Sequence, residues 1–278
     1  MGGMKYEKIA EYSNTKFRRI TGVKRATFEK MEEILGKRYA EKHRRGGRTP
    51  KLSIADLLLA ALEYLREYRT YAHIAANYGI AESNVCRWIK WIEDVLIQDG
   101  TFSLPGKRGL LKKGGKYDVV LVDATESPIE RPKKGQKRYY SGKKKRHTLK
   151  TQLLVERKSG KIIALAFSNG KKHDFQLFKD SRVHVSPETT LEADSGYQGL
   201  AQMHANSRLP KKRSKDHPLS KQERKENREI SKSRIFVEHA ICFIKRFRIL
   251  SERYRNRRSR FALRFSLIAG ICNFDRVA

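Results

Sequence analysis

Cysteine is scarce in this 278-residue chain: Cys86, Cys242 and Cys272 stand far apart, in no C-x-x-C pair. That excludes a disulfide scaffold and argues against a zinc site. A reducing, cytoplasmic compartment is the simplest setting. Long apolar runs are absent, and none approaches the ~18 residues of a membrane span, so no membrane partner is expected. The opening residues, Met-Gly-Gly-Met-Lys-Tyr-Glu, lack the apolar centre of a secretory signal. There is no internal repeat and no Gly/Ser-rich or Pro-rich tract. Acidic residues are few: 30 Asp plus Glu face 62 Lys plus Arg, a net charge of +32. What the chain does have is material for a core. Apolar residues make up 38%, with 12 Phe and 12 Tyr, which excludes wholesale disorder. The length sets one large or two medium domains.

An excess of +32 repels itself unless something negative neutralises it. DNA or RNA fits best. A ribosomal-type basic protein is the bland alternative. A membrane-surface role fits poorly, because the cations are not gathered on one amphipathic helix.

The chain changes character near residue 110. Up to about Gln98 it reads as helices. Thr27 to Leu35 is amphipathic, with Gly36 as its expected stop, and Lys42 to Lys51 is a basic linker. Ser53 can cap a helix through Leu57, Leu58, Ala61, Leu62 and Leu65. Thr101 to Gly115 reads as an interdomain loop, which divides the chain into domains at 1–112 and 113–278. Beyond it, Tyr117 to Asp123, Thr148 to Glu156, Ile162 to Phe167 and Thr189 to Asp194 read as strands. Asp174 to Lys179 reads as a short helix, and Lys221 to Glu229 and Ile235 to Tyr254 as longer ones. The order predicts an α/β fold with a mixed sheet, preceded by an all-α domain.

Tyr71 to Leu96 has helix-turn-helix spacing. Ala75 lets two helices approach, Gly79 makes the turn, and Val85 and Trp88 face back. The second helix then presents Glu82, Ser83, Asn84 and Arg87 to base edges and phosphates. Ala81 stands where a hydroxyl cap is expected, which moves the predicted helix start to Ser83. A plain helical hairpin has the same spacing; the charge of the chain favours DNA binding.

Three carboxylates stand out by position. Asp123 ends the run Val-Val-Leu-Val, Asp194 ends a short strand, and Glu238 lies on a long helix. Acids at the ends of neighbouring buried strands converge at one sheet edge. Such a cluster calls for divalent cations, and oxygen-only ligation suits two Mg²⁺ or Mn²⁺ ions. At about 100° per residue, Glu238 and Lys245 lie within about 40° of Arg234. Phe236, Ala240, Phe243 and Phe247 lie on the opposite side and are the expected core face. A surface Arg–Glu pair with a spare lysine has the same spacing.

Between the first two aspartates, Pro132 to Lys150 contains no acid. Tyr139 and Tyr140 approach a hairpin tip of cations, Lys143, Lys144 and Lys145, followed by His147. Lysines there can hold phosphates while tyrosines stack on bases. A disordered basic loop is the alternative.

These residues, taken together, resemble a known family. The carrying segments are Val122-Asp123-Ala124-Thr125-Glu126, Tyr140 to Lys150, His173-Asp174, Ala193 to Gly199, and Arg234-x3-Glu238-x6-Lys245. They are similar to bacterial insertion-sequence transposases of the DDE class, in the branch related to Harbinger-type transposases. The resemblance covers nearly the whole chain in the right order. It implies an RNase H-like catalytic domain with Asp123, Asp194 and Glu238 as metal ligands. Arg234 and Lys245 then position phosphates, and a helix-turn-helix domain recognises terminal inverted repeats. The related signature carries Tyr three residues before the Arg; here Ser231 stands there. The function so implied is metal-dependent cleavage of element ends and strand transfer into target DNA, by a homodimer or higher oligomer associated with the nucleoid. A catalytically silent DNA-binding regulator and a nuclease without strand transfer are the rival readings.

Overall fold

The computed structural model describes residues 5–44, 46–47, 49–111, 117–213 and 218–278. Two compact units emerge. One takes in 1–103, 244–252 and 256–278, and the other 104–243 and 253–255. The expected boundary at 112/113 lies outside the described residues.

The helical unit begins with α1 (Tyr6–Ala10), α2 (Asn14–Thr21) and α3 (Arg25–His43). Gly36 does not stop α3. A mid-helix glycine costs only about 1 kcal/mol relative to Ala, and Phe28, Met31, Ile34 and Leu35 bury enough surface to outweigh it. Next come α4 (Ile54–Arg66), α5 (Tyr71–Tyr78) and α6 (Glu82–Asp99). Ser53 caps α4 as expected, its side chain accepting the Asp56 N–H.

The other unit is built on a six-stranded mixed sheet. In chain order its elements are β1 (Val119–Pro128), α7 (Gln136–Tyr139), β2 (Tyr140–Ser141), β3 (Arg146–Glu156) and β4 (Ile162–Asn169). They continue with α8 (Asp174–Ser181), β5 (Thr190–Ala193), α9 (Leu200–Met203), β6 (Ser207–Arg208) and α10 (Lys221–Lys245). β3 is antiparallel to β1, β2 and β4; β5 is parallel to β1, and β6 to β5. One sheet face carries Val120, Val122, Leu154, Leu191 and Ala193, packed with Phe178 of α8 and with Tyr197. The mixed sheet and the all-α N-terminal region agree with the expected fold class.

Two helices complete the chain, α11 (Arg248–Ser251) and α12 (Phe261–Val277), and both group with the helical unit. The helix expected from Ile235 to Tyr254 therefore ends at Lys245. Helix α12 is riveted in place by buried charges. Arg264 Nε donates to Glu93 Oε1 of α6 at 2.7 Å, and Arg260 Nη2 donates to Glu93 Oε2 at 2.8 Å. Asp275 accepts from the Lys24 backbone N–H and from Thr27 Oγ1, and pairs with Arg18. Gly270 lets the helix lie against the chain: a Cβ there would stand 1.6 Å from the Phe102 carbonyl oxygen. Among the described residues no helix is long and apolar enough to cross a membrane.

Candidate active site and nucleic-acid interface

β1 does not end at Asp123 as its apolar run suggests; it continues to Pro128, with Asp123 opposite Leu153 of β3. What ends there is its parallel pairing. Val122 is the last residue of β1 to pair with β5, and its partner is Ala193. Asp123 and Asp194 therefore leave the parallel ladder side by side. Alternation puts both on the face opposite the Val122 and Ala193 core.

Asp123 Oδ1 accepts its neighbour Ala124's N–H at 2.7 Å. Arg234 of α10 brings Nη2 within 3.6 Å of Asp123 Oδ2 and within 3.9 Å of Glu238 Oε1. Burial pushes the Asp123 carboxyl above the ordinary carboxylate range. The Ala124 N–H and Arg234 oppose that shift, while the negative charges of Asp194 and Asp174 add to it. Asp194 accepts from Gly196 N–H at 2.8 Å. A Cβ at Gly196 would meet both Asp194 Oδ1 and Asp174 Oδ2, so Asp174 belongs to the same acidic cluster.

The structure thus brings Asp123, Asp194 and Asp174 into electrostatic contact, and ties Glu238 to Asp123 through Arg234. It does not gather them into a finished cage. Glu238 is 57% exposed, and among the described residues no three His, Cys, Asp or Glu side chains are close enough to hold one ion. The donor set nonetheless fits a hard divalent cation. It is all oxygen, and Asp123 is a half-buried carboxyl strained by like charge, which a cation relieves.

The core face of α10 differs from the expectation. Its buried residues are Ile230, Ser233, Val237, Ala240 and Ile244, whereas Phe236 is 46% exposed and Phe243 half-buried. Phe247 is buried but lies beyond the helix end. Ser233 and Ala240 lie on the buried face with Ile230, Val237 and Ile244, and the phenylalanines flank it. Arg234 and Glu238 flank it on the other side. Lys245 is the last residue of α10 and groups with the helical unit.

Sequence reasoning gave Lys150 no role in the carboxylate cluster. It is nearly buried on β3, donates to Asp174 Oδ1 at 2.7 Å and to the Lys172 carbonyl, and stands 3.8 Å from Glu126. Only its position within the basic block marked it. Tyr197 was visible only as part of the Asp-Ser-Gly-Tyr segment. It is fully buried, its hydroxyl 3.5 Å from Gln152 Oε1, and burial lifts its pKa far above the phenol range.

The helix-turn-helix forms as its spacing requires. Thr70 caps α5, and Gly79 ends it in the left-handed region, φ +64°. Helix α6 starts at Glu82, not Ser83, with Ala81 as a cap residue that makes no side-chain bond. The inward pair is Val85 with Ile89. Trp88 instead packs near Tyr39 of α3, ring centroids 6.3 Å apart. Ser83, Asn84 and Arg87 are exposed together, and Arg87 Nη2 donates to Asn84 Oδ1 at 3.0 Å.

The basic block is an ordered hairpin. Tyr140 and Ser141 pair with His147 and Arg146. The tip, Gly142 to Lys145, is exposed and closes with Lys145 at φ +52°. Lys143, Lys144 and Lys145 thus project together, while His147 sits edge-on to the Tyr140 ring, centroids 5.6 Å apart.

Two family models and a known protein match the chain. Residues 122–273 match the family model described as DDE superfamily endonuclease, and residues 50–102 match the helix-turn-helix of DDE superfamily endonuclease. A probable transposase for insertion sequence element IS702, from Microchaete diplosiphon, is 47% identical over 272 residues, covering 98% of each chain.

Proposed function

The chain belongs to the DDE superfamily endonucleases, and we propose that it is the transposase of an insertion sequence, acting in two separable steps. In the first, the helix-turn-helix engages terminal inverted repeats: Ser83, Asn84 and Arg87 meet base edges and phosphates, and Lys143, Lys144, Lys145 and His147 hold DNA backbone. The N-terminal helices are the DNA-binding part and the sheet unit is the catalytic part. In the second step, Asp123, Asp194 and Glu238 would hold Mg²⁺ or Mn²⁺, two ions in the complete site. Bound there, they would supply Lewis-acid polarisation of the scissile phosphate and a more acidic water or 3′-hydroxyl as nucleophile. Arg234 neutralises charge beside Asp123 and Glu238, and Lys245 contributes a cation to DNA engagement. Full metal loading requires Arg234 and Glu238 to rearrange. Two element ends held at once call for a homodimer or higher oligomer, working on nucleoid DNA.

The observation that carries this reading is the side-by-side departure of Asp123 and Asp194 from the parallel strand pair, with Arg234 linking Glu238 to them. The test is cleavage of a duplex carrying the inverted repeats that flank the gene. End binding should need no divalent ion, whereas cleavage should require Mg²⁺ or Mn²⁺. Ca²⁺ should support binding with little cleavage, because its looser coordination does not hold the in-line geometry. Full cleavage in EDTA would falsify the metal-dependent mechanism.

A further inference from the structure

Beyond Pro128, where β1 ends five residues or ~17 Å of strand past Asp123, the sheet unit holds a concavity. It has a volume of about 660 Å³ and is lined by Arg131, Gln136, Lys137, Tyr140, Gly142, His147 and Lys171. That volume lies in the range of small-ligand sites. Among the described residues no carboxylate lines it, although acidic residues lie nearby in sequence.

The aromatic wall is fixed in place. Lys171 N–H donates to the Arg138 carbonyl at 3.2 Å. A Cβ at Gly170 would stand 1.9 Å from Thr148 Oγ1 and 2.9 Å from the Thr148 and Tyr139 carbonyl oxygens, so only glycine lets these segments close so tightly. Ile129 N–H donates to the His147 carbonyl at 2.9 Å, and the His147 ring braces Tyr140 edge-on at an interplanar angle of 75°. Tyr140 stays 44% exposed. An aromatic ring braced on one edge but uncovered, among cations and with no acid among the described lining residues, is unsuited to a core. It does suit a planar base joined to phosphates. A paired, stacked base cannot offer its face to such a ring, whereas an unpaired one can.

We propose that this concavity binds one unpaired nucleotide of a DNA strand, its base stacked on Tyr140 and its phosphates held by Arg131, Lys137 and Lys171. DNA as the ligand rests on the proposed function. The stretch of β1 from Asp123 to Pro128 equals roughly five stacked bases at 3.4 Å each, so a strand holding a nucleotide beyond it can reach towards the carboxylate cluster.

The probe is a short single-stranded deoxyoligonucleotide carrying 2-aminopurine, titrated onto the full-length protein. Binding should quench its fluorescence. Tyr140→Phe should bind and quench like wild type, whereas Tyr140→Ala and Tyr140→Leu should lose about 5- to 150-fold in affinity, the worth of one stacked base, together with the quench. Lys137→Ala with Lys171→Ala should weaken binding and flatten its salt dependence, leaving the quench of bound probe unchanged. Equal affinity and quench in the wild type and both non-aromatic variants would overturn the proposal. So would an equal Tyr140-dependent quench when the probe base is paired in a duplex. The probe needs no terminal repeat and no cleavage, so the outcome separates from that of the transposase reading: cleavage without the quench removes only this site, and the quench without cleavage removes only the transposase.

Discussion

One guanidinium serves two carboxylates: Arg234 lies 3.6 Å from Asp123 and 3.9 Å from Glu238. It thereby supplies positive charge where the proposed divalent ion is expected. Arg234→Ala should remove that competitor. The rise in melting temperature caused by Mn²⁺ should be larger in the variant than in wild type, because binding to the folded state stabilises it. Cleavage should fall, since the arginine also neutralises phosphate charge in the reaction. Thermal scans with and without Mn²⁺ check the first half, and an unchanged Mn²⁺ shift would show that Arg234 and the ion do not compete.

Asp123 offers a pH test in metal-free buffer. Burial, together with Asp194 and Asp174, raises its folded pKa, so the folded state binds its proton more tightly than the unfolded chain does. Between the unfolded value, about 3.9, and the raised folded value, stability contributed at this site falls as pH rises. Asp123→Asn removes that penalty. The variant should match wild type below the unfolded value, gain on it through the window above, and keep a constant advantage at neutral pH. Denaturant titrations at several pH values measure this; a variant less stable at neutral pH than in acid, relative to wild type, contradicts it.

The buried Glu93–Arg264 pair ties α12 to the helix that carries Ser83, Asn84 and Arg87. Side-chain exposure is 1% for Glu93 and 2% for Arg264. Glu93→Met alone leaves a buried cation without its partner and should cost about 3–5 kcal/mol. The double variant with Arg264→Met should recover part of that loss, since neither charge then remains buried. Urea unfolding of the two single variants and the double variant gives the coupling directly. Binding of element ends should fall in parallel with the loss of folded protein.

Local signals carried much of this architecture. Ser53 ahead of a leucine-rich run, Gly79 between two amphipathic segments and Val-Val-Leu-Val before Asp123 each act through near neighbours, and each formed the expected element. The failures lie where distant packing decides. Buried Arg264 and Asp275 break the apolar pattern of α12, so that helix is not legible without their partners, Glu93 and Thr27. On α10 the buried face holds Ser233 and Ala240 while Phe236 stays exposed, which no count of aromatics reveals. In the candidate site, Asp123, Asp194, Arg234 and Glu238 were each visible from position or spacing, yet Lys150 and its bond to Asp174 join residues 24 apart through the β-sheet. Such a pair becomes visible only once strand register is known.

Glu238→Gln is the most direct test of the central claim. The substitution keeps size and helix propensity while removing the charge proposed to hold the ion. Cleavage of the inverted-repeat duplex should fall by several orders of magnitude, as metal and electrostatic stabilisation supply most of the rate in phosphoryl transfer. Binding to the ends should hold or tighten, and the melting temperature should scarcely move. If Glu238 is only the surface partner of Arg234, the change costs roughly 0.2–0.5 kcal/mol of helix stability, and cleavage near the wild-type rate would contradict the account.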